Sequence, residues 1–356
     1  MGDLRAELRR FRWRIAAVLV AVAVLTVVVL VALRPGGSTG LRSVHHALRA
    51  SAVVNGDAAA QTQTQAQAPV TAAAPRTVHH SAPSSYPTVG VRVLHLLDTS
   101  RNRELPTMVF YPARASRLVS SLTDARPSGG PYPLIVFGHG FAVTPEPYRP
   151  LLDRWVQAGF VVAAPLFPKS NANARGGPDE HDLPNQPADM SFVAQEMLEL
   201  SASQEGPVAG LISSHVAVAG QSDGGDTALA AAFDPTEHVL PIDAAVILSG
   251  AEDPFAARFT PQLGTPLLAT QGTADTVNLP SETLSYFHAA STPKYLLLLD
   301  GAEHQPPYTV PGPQLDAVAR TSIAFLDRYL KLEGGALQRL VQQGNAGPAT
   351  ELQANP

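Results

Sequence analysis

The chain has 356 residues and no cysteine, which excludes a disulfide scaffold, a thiolate metal site and a thiol nucleophile. With 45% hydrophobic and 15% charged residues it has the composition of a chain that buries a sizeable core. The net charge of -5 hides an asymmetry: residues 1–34 hold six Arg against Asp3 and Glu7, so the rest carries -9, a balance that argues against a nucleic-acid partner.

The basic N-terminus, residues 1–14, precedes a 19-residue uncharged apolar run, Ile15–Leu33. As a helix this run is roughly 28 Å long, close to the hydrocarbon thickness of a bilayer. It exceeds a signal-peptide core, and no small-x-small cleavage site follows Leu33 directly, so a retained anchor is expected. Secretion after cleavage is the alternative. Arg5, Arg9, Arg10, Arg12 and Arg14 precede the run and only Arg34 follows closely, so the N-terminus is expected in the cytoplasm and the remainder outside it.

Residues 34–87 show no hydrophobic period and include AAAQTQTQAQAPVTAAAP, the composition of a disordered tether. His45-His46 and His79-His80 lack nearby carboxylates and read as solvated linker residues. From residue 88 to 332, short β-branched runs alternate with helical patterns, which predicts a parallel sheet with helices on both faces. Eight strands are expected: Gly90–Leu97, Pro106–Tyr111, Leu134–Gly138, Phe160–Ala164, His215–Gly220, Ala244–Ser249, Pro266–Gln271 and Tyr295–Asp300. Helices are expected over Tyr148–Ala158, Pro187–Leu200, Gly225–Phe233, Ser281–Ala289 and Gln314–Leu332, with Trp155 in the core. Residues 333–356 lose the apolar pattern and are expected to form a flexible tail.

The chemistry centres on Gly220-Gln221-Ser222-Asp223-Gly224, between a buried strand and a small-residue helix. A serine in such a turn takes a strained conformation, presents its hydroxyl to solvent, and sits at a helix N-terminus that favours developing negative charge. A hydroxyl is a weak nucleophile and needs a base oriented by an acid. In the chain order Ser, acid, His, the candidates are Asp275 and His304, each after a strand. Asp253 competes for the acid and His139 for the base, but His139 precedes Ser222 and belongs to FGHGF, which reads as an oxyanion loop. There the backbone N–H groups of Phe141 and Asp223 would bind the tetrahedral oxyanion.

FGHGF, GQSDGG, QGTADT and GAEH, in that order, resemble the serine α/β-hydrolase superfamily over about Thr88 to Leu332. HGF, AGFVVAAPLFP and NQPADMSFVAQEML resemble its dienelactone hydrolase, chlorophyllase and platelet-activating-factor acetylhydrolase branch. The resemblance implies an esterase forming an acyl-enzyme on Ser222, with His304 as base, Asp275 as orienter and no metal or organic cofactor. Dienelactone hydrolases proper use a cysteine, so their substrate is not carried over. Gly250 to Thr265 is too short for a large cap domain, so an open site is expected, with the long loop Phe167–Asp189 at its mouth. Asp179, Glu180, His181 and Asp182 in that loop read as an exposed acidic cluster, and no metal is expected.

The expectation is therefore a membrane-anchored, extracytoplasmic serine esterase. Its ester substrate, small, lipid or polymer, is left open, as is oligomeric state. Acyl transfer or peptide cleavage by the same residues, and a non-catalytic anchored binding module, are the alternatives.

Overall fold

The computed structural model describes residues 88–114, 121–203, 205–234, 236, 241–252, 264–347 and 349–356. The segments expected as an anchor, Ile15–Leu33, and a tether, 34–87, lie outside the described residues, as does Asp253. Among the described residues no helix is long and apolar enough to cross a membrane.

The alternating runs fold as expected into a twisted sheet. Its strands are β1 (Thr88–Asp98), β2 (Arg103–Ala113), β3 (Ser121–Thr123), β4 (Tyr132–Gly138), β5 (Val161–Pro165), β6 (Ile212–Gln221), β7 (Ala244–Leu248), β8 (Leu267–Gly272), β9 (Lys294–Leu299) and β10 (Thr350–Asn355). The order across the sheet is β10-β9-β8-β7-β6-β4-β5-β2-β1-β3. The six strands from β5 to β9 are mutually parallel, whereas β1 on β2, β2 on β5 and β10 on β9 are antiparallel.

Both faces of the central strands are apolar because both are covered. In β4, Ile135 and Phe137 point into one core while Leu134 and Val136 point into the other, and β6 divides Ala217 and Ala219 from Val216 and Val218 in the same way. The first core is closed by α1 (Arg149–Gln157), α6 (Pro313–Tyr329) and α7 (Ala336–Gly344), the second by α2 (Gln186–Ala202), α3 (Asp223–Phe233) and α4 (Pro280–Ala289). The short α5 (Pro306–Thr309) follows β9. Trp155 is fully buried in the first core, its indole N–H donating to Ser322 Oγ at 2.8 Å.

Two expectations are corrected. Among the described residues the sheet has ten strands rather than eight, because the three-residue β3 and the polar edge strand β10 carry no hydrophobic alternation. The segment expected as a flexible tail instead forms α7 and β10. Ala336 and Leu340 bury one side of α7, and β10 is held by backbone pairing to β9 and by Asn345 Oδ1, which accepts from Leu352 N at 3.0 Å.

Lys294, buried at the start of β9, closes the C-terminus of α4. Its ammonium donates to the carbonyls of Phe287 and His288 at 2.9 Å each and of Ala290 at 2.7 Å, acceptors that the helix itself leaves open. Lys294→Met removes three charge-assisted bonds and is expected to lower stability by about 2 kcal/mol, read from the urea unfolding midpoint at unchanged slope.

The pairing register sets one edge of the sheet as the site. Gly138 pairs with Gly220, Gln221 with Leu248, Leu248 with Thr270, and Gly272 with Leu299, so β4, β6, β8 and β9 end together. The loops bearing Phe141, Ser222, Asp275 and His304 all leave from that edge.

Candidate active site

Ser222 occupies the single-residue turn between β6 and α3, at φ 58 and ψ -127. Positive φ is costly for a residue with a Cβ and persists only where its surroundings enforce it. Here Ser222 N donates to Leu248 O at 3.1 Å, and Ser222 O accepts from Asp226 N at 2.9 Å. The two flanking glycines are steric requirements. A Cβ on Gly220 would run into the carbonyl of Gly224, and one on Gly224 into the carbonyl of Gly138. The hydroxyl is less accessible than the motif suggests, since Ser222 is 1% exposed; among the described residues its Oγ has no hydrogen-bond partner. The loop after β4 lies directly over it: a Cβ on Gly140 would stand 3.3 Å from Ser222 Cβ.

Asp275 and His304 are brought together. Asp275 Oδ2 lies 2.8 Å from His304 Nδ1, with the carboxylate wholly buried. The carboxylate is fixed by the turn after β8: Oδ1 accepts from Val277 N at 2.9 Å and Asn278 N at 3.0 Å, and Oδ2 accepts from Gln271 Nε2 at 3.2 Å. Asp300 instead accepts from Thr273 Oγ1 at 3.3 Å on the surface. Asp275 is thus the carboxylate that the fold delivers to His304. Ser222 Oγ makes no hydrogen bond to His304; the ring Nε2 lies 3.2 Å from the side-chain nitrogen of Gln221, the residue before Ser222. Gln221 in turn reaches Tyr148, which the sequence reading had not singled out.

His139 is structural, as its place in FGHGF implied. It is fully buried, its Nε2 accepts from Phe167 N at 3.1 Å, so Nδ1 carries the proton and donates to Gly140 O at 2.8 Å. The ring therefore pins the loop after β4 to the loop after β5. Burial lowers its pKa from 6.5 to about 4. Between these values the unfolded chain binds a proton that the folded one refuses. Stability attributable to this residue is full above pH 6.5 and falls by about 3 kcal/mol as pH drops to about 4, where the loss levels off. Unfolding by urea across that range should show the stability difference between wild type and His139→Gln shrinking as pH falls.

The loop Phe167–Asp189 is built against the site. Ala142 N donates to Ser170 O at 2.8 Å and Ala172 N to Val143 O at 3.1 Å. Gln186 bridges Ser170 Oγ and Thr227 of α3 at 2.8 and 2.9 Å. Its base is clamped by Arg103, which donates to Asp182 from both Nη1 (2.9 Å) and Nη2 (2.8 Å) and to Asp189 from Nε (2.7 Å). Asp182 is thus a buried ion-pair partner rather than part of an exposed cluster, while Asp179 caps the short helical turn at 180–185 and bonds His181. Among the described residues no group of His, Asp or Glu is arranged to hold a metal.

The sheet order, with the strained serine after β6 and the buried acid and histidine after β8 and β9, is that of the α/β-hydrolase fold, and the comparisons support a place in that superfamily. Residues 112–274 match the family model Chlorophyllase, a span that includes Ser222 and stops one residue before Asp275. Among solved structures, a ferulic acid esterase from Streptomyces cinnamoneus is 21% identical, with a TM-score of 0.58 over 76% of this chain and 98% of that one. No curated protein matches. The family match, on a chain with this fold, points to a carboxylic ester hydrolase.

Proposed function

We propose that the protein is a serine esterase with Ser222 as nucleophile, His304 as general base and acid, and Asp275 as the group that orients the imidazole. The observation that carries this reading is the buried Asp275–His304 hydrogen bond at the same sheet edge as a strained serine whose hydroxyl is uncommitted among the described residues. Ser222 Oγ attacks the ester carbonyl carbon while its proton passes to His304 Nε2. The resulting oxyanion is received by the backbone N–H groups of Phe141 and Asp223. Collapse expels the alcohol, which takes the proton from Nε2. Water then repeats the two steps on the acyl-enzyme, giving the free acid and restoring Ser222. The elbow fixes Ser222 before substrate arrives, so little reorganisation is needed at the moment of attack.

The anchoring of this activity outside the cytoplasm, through Ile15–Leu33 and the tether 34–87, is part of the same proposal and rests on the charge asymmetry and length of the apolar run. The substrate is a carboxylic ester. The likenesses to the Chlorophyllase family and to a ferulic acid esterase support that class without fixing the acyl or alcohol group. Hydrolysis of p-nitrophenyl butyrate by the full chain tests the reading: turnover that requires Ser222 supports it, and a folded chain no faster than buffer contradicts it.

A further inference from the structure

Between the histidine and the loop after β4 runs a chain of hydrogen bonds through Tyr148 and Gln221. Gly140 N–H donates to the hydroxyl oxygen of Tyr148 at 3.2 Å. The hydroxyl proton of Tyr148 is donated in turn to Gln221 Oε1 at 2.7 Å. Burial pushes this phenol up to about 12, so it keeps its proton across the neutral range. With Oε1 committed to Tyr148, the amide NH2 of Gln221 must face the histidine. It donates to His304 O at 3.1 Å and lies 3.2 Å from His304 Nε2. An amide N–H has no lone pair to offer, so the second contact is favourable only when Nε2 is unprotonated. The ring proton then belongs on Nδ1, where Asp275 accepts it. Tyr148 is fully buried, Gln221 is 1% exposed and His304 8%, so no bulk water competes along the chain.

We propose that Gln221 is a positioning residue for the base: its amide, aimed by Tyr148, holds His304 in the Nδ1–H tautomer with the Nε2 lone pair kept beside Ser222, and ties the base to the oxyanion loop. This inference rests on the esterase reading above. Gln221 and Ser222 are neighbours in sequence, and their N–H and O–H are alternative donors to one lone pair. In the resting arrangement Gln221 occupies it and Ser222 Oγ is unpartnered. For attack the Nε2 lone pair gives up the amide N–H and takes the Ser222 hydroxyl proton instead, and the second N–H of Gln221, on His304 O, keeps the base loop in register while that happens.

The test uses the full chain with 15N-labelled histidine, the His304 signals assigned by their loss in His304→Gln. At neutral pH the wild type should show a protonated Nδ1 and an unprotonated Nε2. Gln221→Glu keeps the shape and still accepts from Tyr148, but it replaces the donor at Nε2 by a carboxylate. Both ring nitrogens should then be protonated, and kcat for p-nitrophenyl butyrate should fall about 100-fold with KM within about twofold. Gln221→Met should lose about tenfold in kcat, again at nearly constant KM. Should neither Gln221 variant fold, Tyr148→Phe, which removes the bond aiming the amide, should lose about tenfold in kcat by the same route. An unchanged nitrogen pattern in Gln221→Glu, or an unchanged kcat in Gln221→Met or, in its place, Tyr148→Phe, overturns the proposal. A wild type without esterase activity would overturn the esterase reading instead, and the nitrogen signals would still report whether Gln221 holds the ring.

Discussion

Ser222→Ala is expected to lower kcat for ester hydrolysis by at least about 10⁴-fold without loss of stability, because the variant removes the attacking atom and nothing that packs. Among the described residues Ser222 Oγ makes no hydrogen bond, so its deletion breaks none of the bonds seen. Relief of a polar atom buried without a partner should leave the unfolding midpoint equal or higher. Asp275→Asn is expected to cost about 10⁴-fold by a different route. The amide would present an N–H to His304 Nδ1 and favour the tautomer that carries its proton on Nε2, where it blocks deprotonation of Ser222. Because these groups act as a unit, the double variant should be no slower than the worse single one. Steady-state rates for the three variants, with circular dichroism as the control for folding, check both statements.

Arg103→Met is the substitution expected to cost most in stability. Arg103 is held charged by two carboxylates whose own side chains are 1% exposed or less, Asp182 and Asp189. Removing the cation leaves them buried with Arg101 against Asp189 at 2.8 Å, Lys169 3.9 Å from Asp182 and the Asn185 amide donating to Asp182 at 2.8 Å. Breaking a buried pair from one side costs about 3–5 kcal/mol, which for a domain of this size lowers the melting temperature by about 10 °C. Replacing all three by apolar residues should recover much of the loss, since the desolvation penalty goes with the charges. Activity should fall with Arg103→Met as well, because the clamped loop carries Ser170, whose carbonyl holds Ala142 of the loop over Ser222. Thermal unfolding and kcat measured on the same preparations separate the two effects.

Much of this was legible in the sequence, for identifiable reasons. Strands such as LIVFG and VAVAG are apolar on both faces because helices cover both, so their runs stand out from the amphipathic helices between them. Ser222, Asp275 and His304 follow such runs directly, and parallel registry carries them to one edge. The strand β10 was not legible because TELQAN has no alternation and is held by main-chain bonds to β9 that any sequence makes. The Arg103 clamp joins residues 79 and 86 positions apart, a distance over which composition and periodicity carry no signal. The burial of Ser222 depends on how closely the Gly140 loop approaches, which is a tertiary property. Gln221 was in view throughout as the variable position of the serine motif, but its part emerges only from the directions of bonds to Tyr148 and His304.

The central claim is that Ser222 is a nucleophile activated by His304 and Asp275. Labelling of the full chain with a fluorophosphonate, followed by mass spectrometry of its peptides, tests it most directly, since the reagent needs an activated serine but no knowledge of the substrate. One equivalent of adduct on Ser222, absent from Ser222→Ala and formed at least about 100-fold more slowly in His304→Gln, is the expected result. A folded wild type that takes up no label, or takes it up equally well in His304→Gln, would contradict the account.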